Sequence, residues 1–458
     1  MGEKTKKKRT VYQYSARNAL CRGNWITRLS LVVFGLGCLV RGQIIKGCLF
    51  LLSEAAIIFY MVRTGFHNLS MLITLGELEQ QKVWNEAKSV YEYVDGDRSL
   101  NILLYGIVTA AVLIAFVLIA VQSVKQAYKL QEKKEQGKHV PTFREDLGNL
   151  LNNNLHLTLL SFPVIGILAF TILPLIFMIC MAFTNYSVEG NKLVLFDWVG
   201  LENFKRIVNF GGTLGQTFWA VLRWTLIWAV VATFTNYILG MLLALLINWK
   251  ETRLKKMWRF FFVLTVAVPH FVTLLVIQQM LQPEGAVNVL LRNWGIIGAS
   301  ESLPFFTNTL WARVTVIIIN VWVGVPYGLL QMTGILQNIP EEQYEAARID
   351  GASSFVIFRK ITLPYMLFVT TPYLITTFTG NVNNFNVIFL TSGGLPRALG
   401  STAGDTDLLV TWLYKLTIDN KYYNVGAVIG IMTFLVLSVV SLLTFRLSAS
   451  NRNEEEFR

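Results

Sequence analysis

The chain has 458 residues, of which 53% are hydrophobic and only 15% are charged, and its mean hydropathy is +0.49. A soluble domain of this length needs fewer apolar residues to build a core, so many of them must face lipid. The formal charge of +12 does not indicate a nucleic-acid-binding protein, because the basic residues flank apolar runs and form no single groove. The four cysteines form no CxxC pair, so they predict neither a disulfide framework nor a metal site.

Residues 1–24 form a basic start that we expect to be cytoplasmic. No short apolar run with a small-residue cleavage site follows it, so we predict no removable signal peptide. Residues 25–40 are apolar but too short to cross a bilayer, and the basic residues Arg41 and Lys46 come directly after them. We therefore predict an interfacial or re-entrant helix here.

Eight later apolar runs are long enough to cross a hydrocarbon core of roughly 30 Å. They predict an all-α fold, a polytopic bundle of about eight transmembrane helices. The runs are Ile44 to Met61, Asn101 to Val124, Leu155 to Phe183, Phe218 to Trp249, Phe260 to Leu281, Val314 to Gln337, Pro364 to Leu395 and Tyr422 to Phe445.

Lysine and arginine are concentrated in two short connections, residues 125–154 and 250–259, which we therefore place in the cytoplasm. This orientation predicts an outer loop at 66–100 and two cytoplasmic termini, the second being the tail 447–458. A ninth span would put either the basic start or the basic connections outside. The predicted organisation is an N-terminal part with two peripheral spans (25–124), a cytoplasmic linker (125–154) and a six-span core (155–446).

The cytoplasmic loop 338–364 predicts two short helices. Pro340 suits a first helical position, and the acidic Glu341 and Glu342 favour the positive end of the helix dipole. Gly351 can take the left-handed conformation that ends this helix. A second helix is expected at 353–359, and Pro364 then opens the next span.

Seven positions of this loop have the spacing of the signature loop of binding-protein-dependent ABC importer permeases, and the chain resembles that family. These residues are Glu345, Ala346, Ala347, Gly351, Ile361, Leu363 and Pro364. The resemblance implies the type I importer permease fold, with the loop docked in a groove of a separate ATPase subunit. It also implies a dimer of that ATPase, a second homologous permease, an extracellular sugar-binding protein and a location in the plasma membrane.

The chain contains no phosphate-binding motif of the form Gly-x-x-x-x-Gly-Lys-Ser/Thr. We therefore expect a transporter subunit that binds no cofactor and is not an enzyme, with ATP and magnesium held by the partner ATPase.

A polar stretch at 376–386 lies inside an apolar run, and polar groups in a span indicate a substrate pathway. On a continuous helix, Thr377, Asn381 and Asn384 would share one face. Their amides could bind hydroxyl groups, and neighbouring phenylalanines could stack on sugar rings. The alternative is that these side chains only join helices by hydrogen bonds.

The stretches 320–327, 383–396 and 403–412 are similar to maltose and maltodextrin permeases. This resemblance implies that seven residues surround the sugar in the middle of the membrane: Thr377, Asn381, Asn384, Val323, Gly324, Tyr327 and His270. His270 stands where better-known members have a small hydroxyl residue, and it could instead be a hydrogen-bond partner between helices.

The expected function is therefore import of a maltodextrin-like oligosaccharide. One alternative keeps the same fold and transports another sugar or a small solute such as glycerol phosphate. The other is an ion-coupled secondary transporter, which predicts acidic residues at mid-membrane in the core spans.

Overall fold

The computed structural model describes residues 14–86, 88 and 90–447. The described residues are mainly helical, and the chain divides into two compact units, 1–200 and 201–458. The basic residues 4–9 and the acidic residues 454–456, which the sequence predicts as solvated ends, lie outside the described residues.

Among the described residues, seven helical segments are long and apolar enough to cross a membrane, and one strongly bent helix pair adds an eighth. The prediction of about eight spans is confirmed if the bent pair counts as one. The segments are Ile44–Thr74, Ser99–Glu135, Leu155–Met181, Thr213–Asn248, the pair Lys255–Ala267 and His270–Met280, Thr309–Leu336, Ser354–Val382 and Tyr423–Arg446.

The N-terminal unit contains short helices before its first span and three spans. Its helices are α1 (Ala16–Arg22), α2 (Trp25–Leu29), α3 (Leu36–Leu39), α4 (Ile44–Tyr60), α5 (Phe66–Thr74), α6 (Ser99–Glu135), α7 (Phe143–Leu151), α8 (Leu155–Ile167) and α9 (Leu173–Met181). A single π-helical turn joins α4 to α5 at Met61–Gly65, and another joins α8 to α9 at Leu168–Ile172. The first span is thus longer than predicted, and the outer connection begins near Leu75 instead of residue 66.

The outer connection contains a β-hairpin that the all-α prediction missed. Strand β1 (Gln81–Asn85) pairs antiparallel with β2 (Val90–Val94), and Trp84 lies opposite Tyr91. The two rings are 4.9 Å apart in an edge-to-face arrangement. Such cross-strand aromatic pairs stabilise short hairpins, and the valines and aromatic residues here have high strand propensity.

The third span, α8 and α9, belongs to the N-terminal unit, although the sequence groups it with the later five spans. Leu173 and Phe177 pack against a buried cluster that contains Leu75, Leu103 and Phe196. Apolar contacts on one side of the helix therefore decide which unit it joins.

The C-terminal unit contains the remaining spans and the signature loop, residues 338–364. Its helices are α10 (Glu202–Val208), α11 (Thr213–Asn248), α12 (Lys255–Ala267), α13 (His270–Met280), α14 (Ala286–Asn293), α15 (Thr309–Leu336), α16 (Glu341–Ile349), α17 (Ser354–Ile357), α18 (Leu363–Val382), α19 (Phe385–Leu390), α20 (Leu409–Tyr414) and α21 (Tyr423–Leu447). Single π-helical turns join α17 to α18 at Phe358–Thr362 and follow α20 at Lys415–Asp419.

Helices α11 and α15 pack closely along the centre of this unit. A Cβ atom placed on Gly240 of α11 would lie 2.9 Å from the carbonyl carbon of Gly328 on α15. Large buried side chains such as Trp228 and Ile319 fill the space on one side of this contact, and Met241 and Met332 fill the other. Small residues at such a contact allow two membrane helices to approach each other.

We expect Gly240→Val to destabilise the protein by about 1–3 kcal/mol, because the added side chain must push the two backbones apart. The measurement is the free energy of unfolding of the purified protein in detergent. Gly334→Val, on α15, is the matched control, since a Cβ atom there meets nothing within 4 Å. Equal losses in both variants would contradict the close contact.

The fifth predicted span, 260–281, is broken in its middle. Helices α12 and α13 meet at an angle of 87°, with Val268 and Pro269 between them. Proline has no backbone N–H, and its ring collides with the preceding turn of a continuous helix. His270 therefore begins a new helix.

The seventh predicted span, 364–395, is also divided. It starts at Ser354, because the second predicted loop helix continues through Phe358–Thr362 into α18, and it ends at Val382. Asn384 then caps α19, and its side-chain oxygen accepts a hydrogen bond from the Val387 N–H at 3.3 Å. Because asparagine side chains compete for backbone hydrogen bonds, a run of them favours this helix end.

Candidate functional site

The loop with the family spacing forms the two helices predicted from its sequence. Helix α16 starts at Glu341, one residue after Pro340, and Gly351 has a φ of +77° directly after it. This left-handed conformation suits glycine, and the predicted helix end is thereby confirmed. The Ser353 hydroxyl accepts a hydrogen bond from the Val356 N–H at 3.4 Å and caps α17.

One internal contact ties α16 to the following span. The Tyr344 hydroxyl lies 3.1 Å from the Thr362 hydroxyl, and Thr362 is buried. Lys250 and Glu341 also form an ion pair at 3.2 Å, but both side chains are exposed, so its contribution to stability is small. The loop is therefore attached to the membrane helices through Tyr344 and Thr362.

The family residues of the loop differ in exposure. Glu345, Ala346, Gly351 and Pro364 are exposed, whereas Ala347, Ile361 and Leu363 are half-buried. Two large apolar side chains that the sequence analysis did not single out are also exposed: Ile349 at 86% and Phe355 at 69%. Their signal in the sequence is an apolar residue on an otherwise polar loop helix.

A cavity of about 450 Å³ lies beside this loop. Its walls come from the end of α11, the end of α15 and both loop helices, and they include Trp249, Leu336, Arg348 and Phe358. Large exposed apolar side chains such as Ile349 and Phe355 are unusual on a polar loop helix and can mark a protein interaction surface.

Three of the seven predicted substrate residues line one cavity of about 200 Å³. His270, Val323 and Tyr327 lie there together at the break of the fifth span. The same cavity is lined by Thr265, Val268, Thr273 and Trp322, so its walls include hydroxyl and aromatic groups. The sequence did not indicate the two threonines, because they become neighbours of His270 only through the bend.

Gly324 does not line that cavity. A Cβ atom on Gly324 would lie 2.3 Å from the Asn236 amide nitrogen on α11, so the glycine makes room for this side chain. Asn236 is a lone amide in an apolar span, and that was the signal by which the sequence could have indicated it.

Asn381 is buried and Asn384 is half-buried in the C-terminal unit. The Asn381 amide donates a hydrogen bond to the Thr233 hydroxyl at 3.0 Å, and the Asn381 carbonyl accepts one from the Trp228 ring at 3.1 Å. The Asn384 amide donates to the side-chain oxygen of Asn320 at 3.3 Å. Since α18 ends before Asn384, the prediction of one continuous helical face for Thr377, Asn381 and Asn384 is wrong; Thr377 itself is half-buried on α18.

Two buried amide atoms near these residues have no hydrogen-bond partner among the described residues: the side-chain oxygen of Asn236 and the side-chain nitrogen of Asn320. Leaving such a group unpaired costs about 1–3 kcal/mol. We call Asn236, Asn320, Asn381, Asn384 and Thr233 the polar seam. The seam thus has capacity for further hydrogen bonds inside the membrane-spanning part of the chain.

Residues 236–452 match the family described as binding-protein-dependent transport system inner membrane component. The chain is 34% identical over 433 residues to the galactooligosaccharides transport system permease protein GanP of Bacillus subtilis, covering 94% of this chain and 99% of GanP. It is 33% identical over 438 residues to the maltodextrin transport system permease protein MdxF of Bacillus subtilis, covering 93% and 95% of the two chains.

A solved structure has a similar fold. It is a chain in the crystal structure of a bacterial ABC transporter involved in the import of the acidic polysaccharide alginate, with a TM-score of 0.55 and 22% identity. The match covers 67% of this chain and 98% of the other. Together with the membrane-spanning helices and the signature loop, these similarities establish that the chain is a multi-pass membrane protein of the binding-protein-dependent transport system inner membrane component family, a permease of the ABC importer type.

Proposed function

We propose that this chain is the larger permease subunit of an importer that moves an oligosaccharide across the plasma membrane at the expense of ATP hydrolysed by a separate subunit. Both termini are cytoplasmic in this proposal, since that orientation places the basic connections inside. The chain pairs with a second, homologous permease, and an extracellular binding protein delivers the sugar. The observation that carries the coupling role is the signature loop, whose Glu345 and Ile349 are exposed on α16.

The loop helices are suited to transmit movement. Helix α17 continues through one π-helical turn into α18, so the docking surface and a transmembrane span form one helical segment, Ser354–Val382. A displacement of the loop by the ATPase would therefore move the end of the span that carries Asn381. ATP and magnesium would be bound by the ATPase, because this chain has no phosphate-binding motif of the kind noted above.

An uncharged oligosaccharide is the cargo best supported. The relatives GanP and MdxF carry the names of galactooligosaccharide and maltodextrin transport systems. The polar seam supplies amides and a hydroxyl, and the 200 Å³ cavity supplies hydroxyl and aromatic side chains. Neither set contains a lysine or arginine, which an anionic cargo such as glycerol phosphate would need.

The test is uptake into vesicles that contain the complete complex with its binding protein. Maltodextrin, galactooligosaccharide and glycerol phosphate are offered separately, and uptake and ATP hydrolysis are measured together. We expect ATP-dependent uptake of one of the oligosaccharides. Uptake driven by an ion gradient without ATP would support the secondary-transporter alternative, and uptake of glycerol phosphate alone would reject a sugar as the cargo.

Asn384→Leu should lower oligosaccharide uptake at a fixed low sugar concentration by about 5- to 150-fold, because losing one hydrogen bond to the cargo costs about 1–3 kcal/mol. The variant keeps the side-chain size but removes the amide. Asn383→Leu is the matched control, since Asn383 is the exposed neighbour and donates only to the Thr379 carbonyl. Normal uptake by the Asn384 variant would assign this residue to helix packing.

A further inference from the structure

The segment before the first span, residues 24–43, packs against α6 along an unexpectedly long distance. At one end, the Asn24 N–H and the Thr27 hydroxyl donate to the side-chain oxygen of Gln131, at 2.9 and 2.7 Å. At the other end, the Phe34 ring lies 4.8 Å from the Phe116 ring. Gln131 and Phe116 are 15 positions apart on one helix, which corresponds to about 22 Å.

The chain then returns along the same helix. A Cβ atom on Gly37 would lie 2.4 Å from the Ala127 methyl group, and Gln43 accepts a hydrogen bond from the Gln126 amide at 3.2 Å. The segment thus enters beside Gln131, turns with its backbone beside Ser123 while the Phe34 ring reaches Phe116, and leaves beside Gln126. A helix lying flat on the membrane surface would not follow α6 so far, and a crossing segment would not return.

The position of the turn can be placed within the bilayer from α6 itself. The apolar run of α6 ends at Val124, and Lys125, Lys129 and Lys133 follow it. The Phe34 ring reaches Phe116, which is nine positions or about 13 Å before Lys125, whereas the Gly35 backbone lies beside Ser123, only two positions or about 3 Å before Lys125. The turn therefore lies inside the apolar part of the leaflet on the basic side, and not at the middle of the membrane.

Backbone groups that are not in a helix must find partners at this depth, because lipid provides none. The Phe34 N–H donates to the Glu54 carboxylate on α4 at 2.7 Å, and the Gly35 N–H donates to the Ser123 hydroxyl on α6 at 2.8 Å. The Ser123 hydroxyl in turn donates to the Ser30 carbonyl at 2.9 Å. An acidic residue inside a span is costly, and this contact explains what Glu54 does there.

A second set of contacts joins the two ends of the segment. Arg41 is 8% exposed, and its guanidinium donates to the Asn24 side-chain oxygen at 2.9 Å and to the Thr27 hydroxyl at 2.7 Å. It also donates to the Gly37 carbonyl at 3.1 Å. Because Asn24 and Thr27 precede the turn and Arg41 follows it, the arginine holds the entering and leaving parts of the segment together.

We propose that residues 24–43 form a re-entrant loop whose apolar turn, Leu31 to Val33, inserts among the acyl chains of the leaflet on the basic side of the membrane, with Glu54 and Ser123 satisfying its backbone. The lipid chains are the partner because Val32 is 69% exposed at the depth of α6's apolar run, while Leu31 and Val33 are each 38% exposed. The exposed Arg22 and Arg28 flank the entering end of the loop and suit phosphate headgroups. Of the two predictions for this segment, interfacial or re-entrant, we infer the second.

The loop has a consequence for topology. Since it starts and ends on one side, Ile44–Thr74 remains the first segment that crosses, and the ninth span is not needed. The re-entrant loop does not depend on the cargo. A measurement that rejects the loop therefore leaves the proposed transport function standing, and a measurement that rejects the transport function leaves the loop standing.

The experiment places a nitroxide spin label on Val32→Cys, in full-length protein whose cysteines 21, 38, 48 and 180 are replaced by alanine, reconstituted in lipid vesicles. Collisions with oxygen, which concentrates in lipid, are compared with collisions with water-soluble nickel ethylenediaminediacetate. Ile114→Cys on the apolar part of α6 is the lipid control and Ile349→Cys on α16 is the water control; their side chains are 64% and 86% exposed. We expect the label at Val32 to match Ile114, and a match to Ile349 would overturn the proposal.

Two further measurements test from which side of the membrane the turn is reached and whether Glu54 holds the Phe34 N–H. A membrane-impermeant maleimide added outside intact cells should leave Val32→Cys unlabelled, and labelling from outside would show that the segment crosses. Glu54→Leu removes the acceptor for the Phe34 N–H, so the label at Val32 should become more mobile, whereas Glu54→Gln keeps an acceptor oxygen and should restore the original spectrum. Unchanged mobility in Glu54→Leu would reject the role given to Glu54.

Discussion

Glu345→Lys is expected to abolish transport while the protein still folds and enters the membrane. Glu345 is exposed on α16, and among the described residues the structure records no hydrogen bond or ion pair for it. Its replacement should therefore leave this chain unchanged. At a docked surface, however, removing one charge of a desolvated pair costs about 2–5 kcal/mol, and reversing it adds repulsion.

A loss of about 4 kcal/mol corresponds to roughly a thousandfold weaker association with the ATPase. The measurements are uptake, ATP hydrolysis stimulated by the binding protein, and recovery of the ATPase with the purified permease. All three should fall together. Arg144→Glu, an exposed charge reversal of the same size on α7, should leave them near normal.

Full transport by Glu345→Lys would mean that α16 does not contact the ATPase through this residue. A loss of protein from the membrane would instead mean that Glu345 has a structural partner in the assembled complex. The ratio of bound ATPase to permease distinguishes the two outcomes.

The second large effect is expected at a buried ion pair in the C-terminal unit. Asp407 is fully buried, and the Lys415 ammonium group lies 2.7 Å from one carboxylate oxygen and 3.0 Å from the other. Asp407 also accepts hydrogen bonds from the Gly404 N–H at 2.7 Å and the Thr411 hydroxyl at 2.9 Å. Lys415 donates to the Gly393 carbonyl at 2.7 Å as well, so the pair joins the loop after α19 to the end of α20.

Lys415→Met should lower the free energy of unfolding by about 3–5 kcal/mol, because it leaves the Asp407 carboxylate buried without a counter-charge. The measurement is unfolding of the purified protein in detergent. The double variant Asp407→Asn with Lys415→Met should recover part of the loss, since it removes the unpaired charge. A single variant as stable as the double one would contradict this account.

Lys192→Met provides the comparison with a surface pair. Lys192 lies 3.1 Å from Asp197, and both side chains are about half exposed to solvent, at 40% and 58%. Exposed pairs contribute about 0–1 kcal/mol, so this variant should be nearly as stable as the parent protein.

The spans could be predicted from the sequence because the requirement for crossing a bilayer is local. An apolar run of sufficient length must form a helix in lipid, since no other single segment satisfies its own backbone. The same holds for α16, where Pro340, the glutamates after it and Gly351 mark the helix ends. Local chemistry also accounts for the hairpin that the prediction missed. Strands β1 and β2 contain valines and aromatic residues, but they lie within residues 66–100, which we predicted as a polar outer loop.

The positions where spans break were harder to predict. Pro269 was visible in the sequence, but proline is often tolerated as a kink; the structure shows an 87° bend, and α12 and α13 both pack against α15. Helix α18 ends before Asn384, so this one of the three predicted site residues caps the separate helix α19. The polar seam became apparent only from the structure, which brings Asn320 to Asn384 and Thr233 to Asn381.

The sequence by itself determined that this chain crosses a membrane about eight times and that it presents the family's signature loop, because apolar length and motif spacing are properties of contiguous residues. Only the tertiary structure decided which polar side chains are satisfied. Asn381 finds its partner at Thr233, 148 positions away, and Glu54 finds its partner at the Phe34 backbone across a turn. Hydrogen bonds between distant segments depend on how the helices pack, so apolar periodicity and spacing could not assign them.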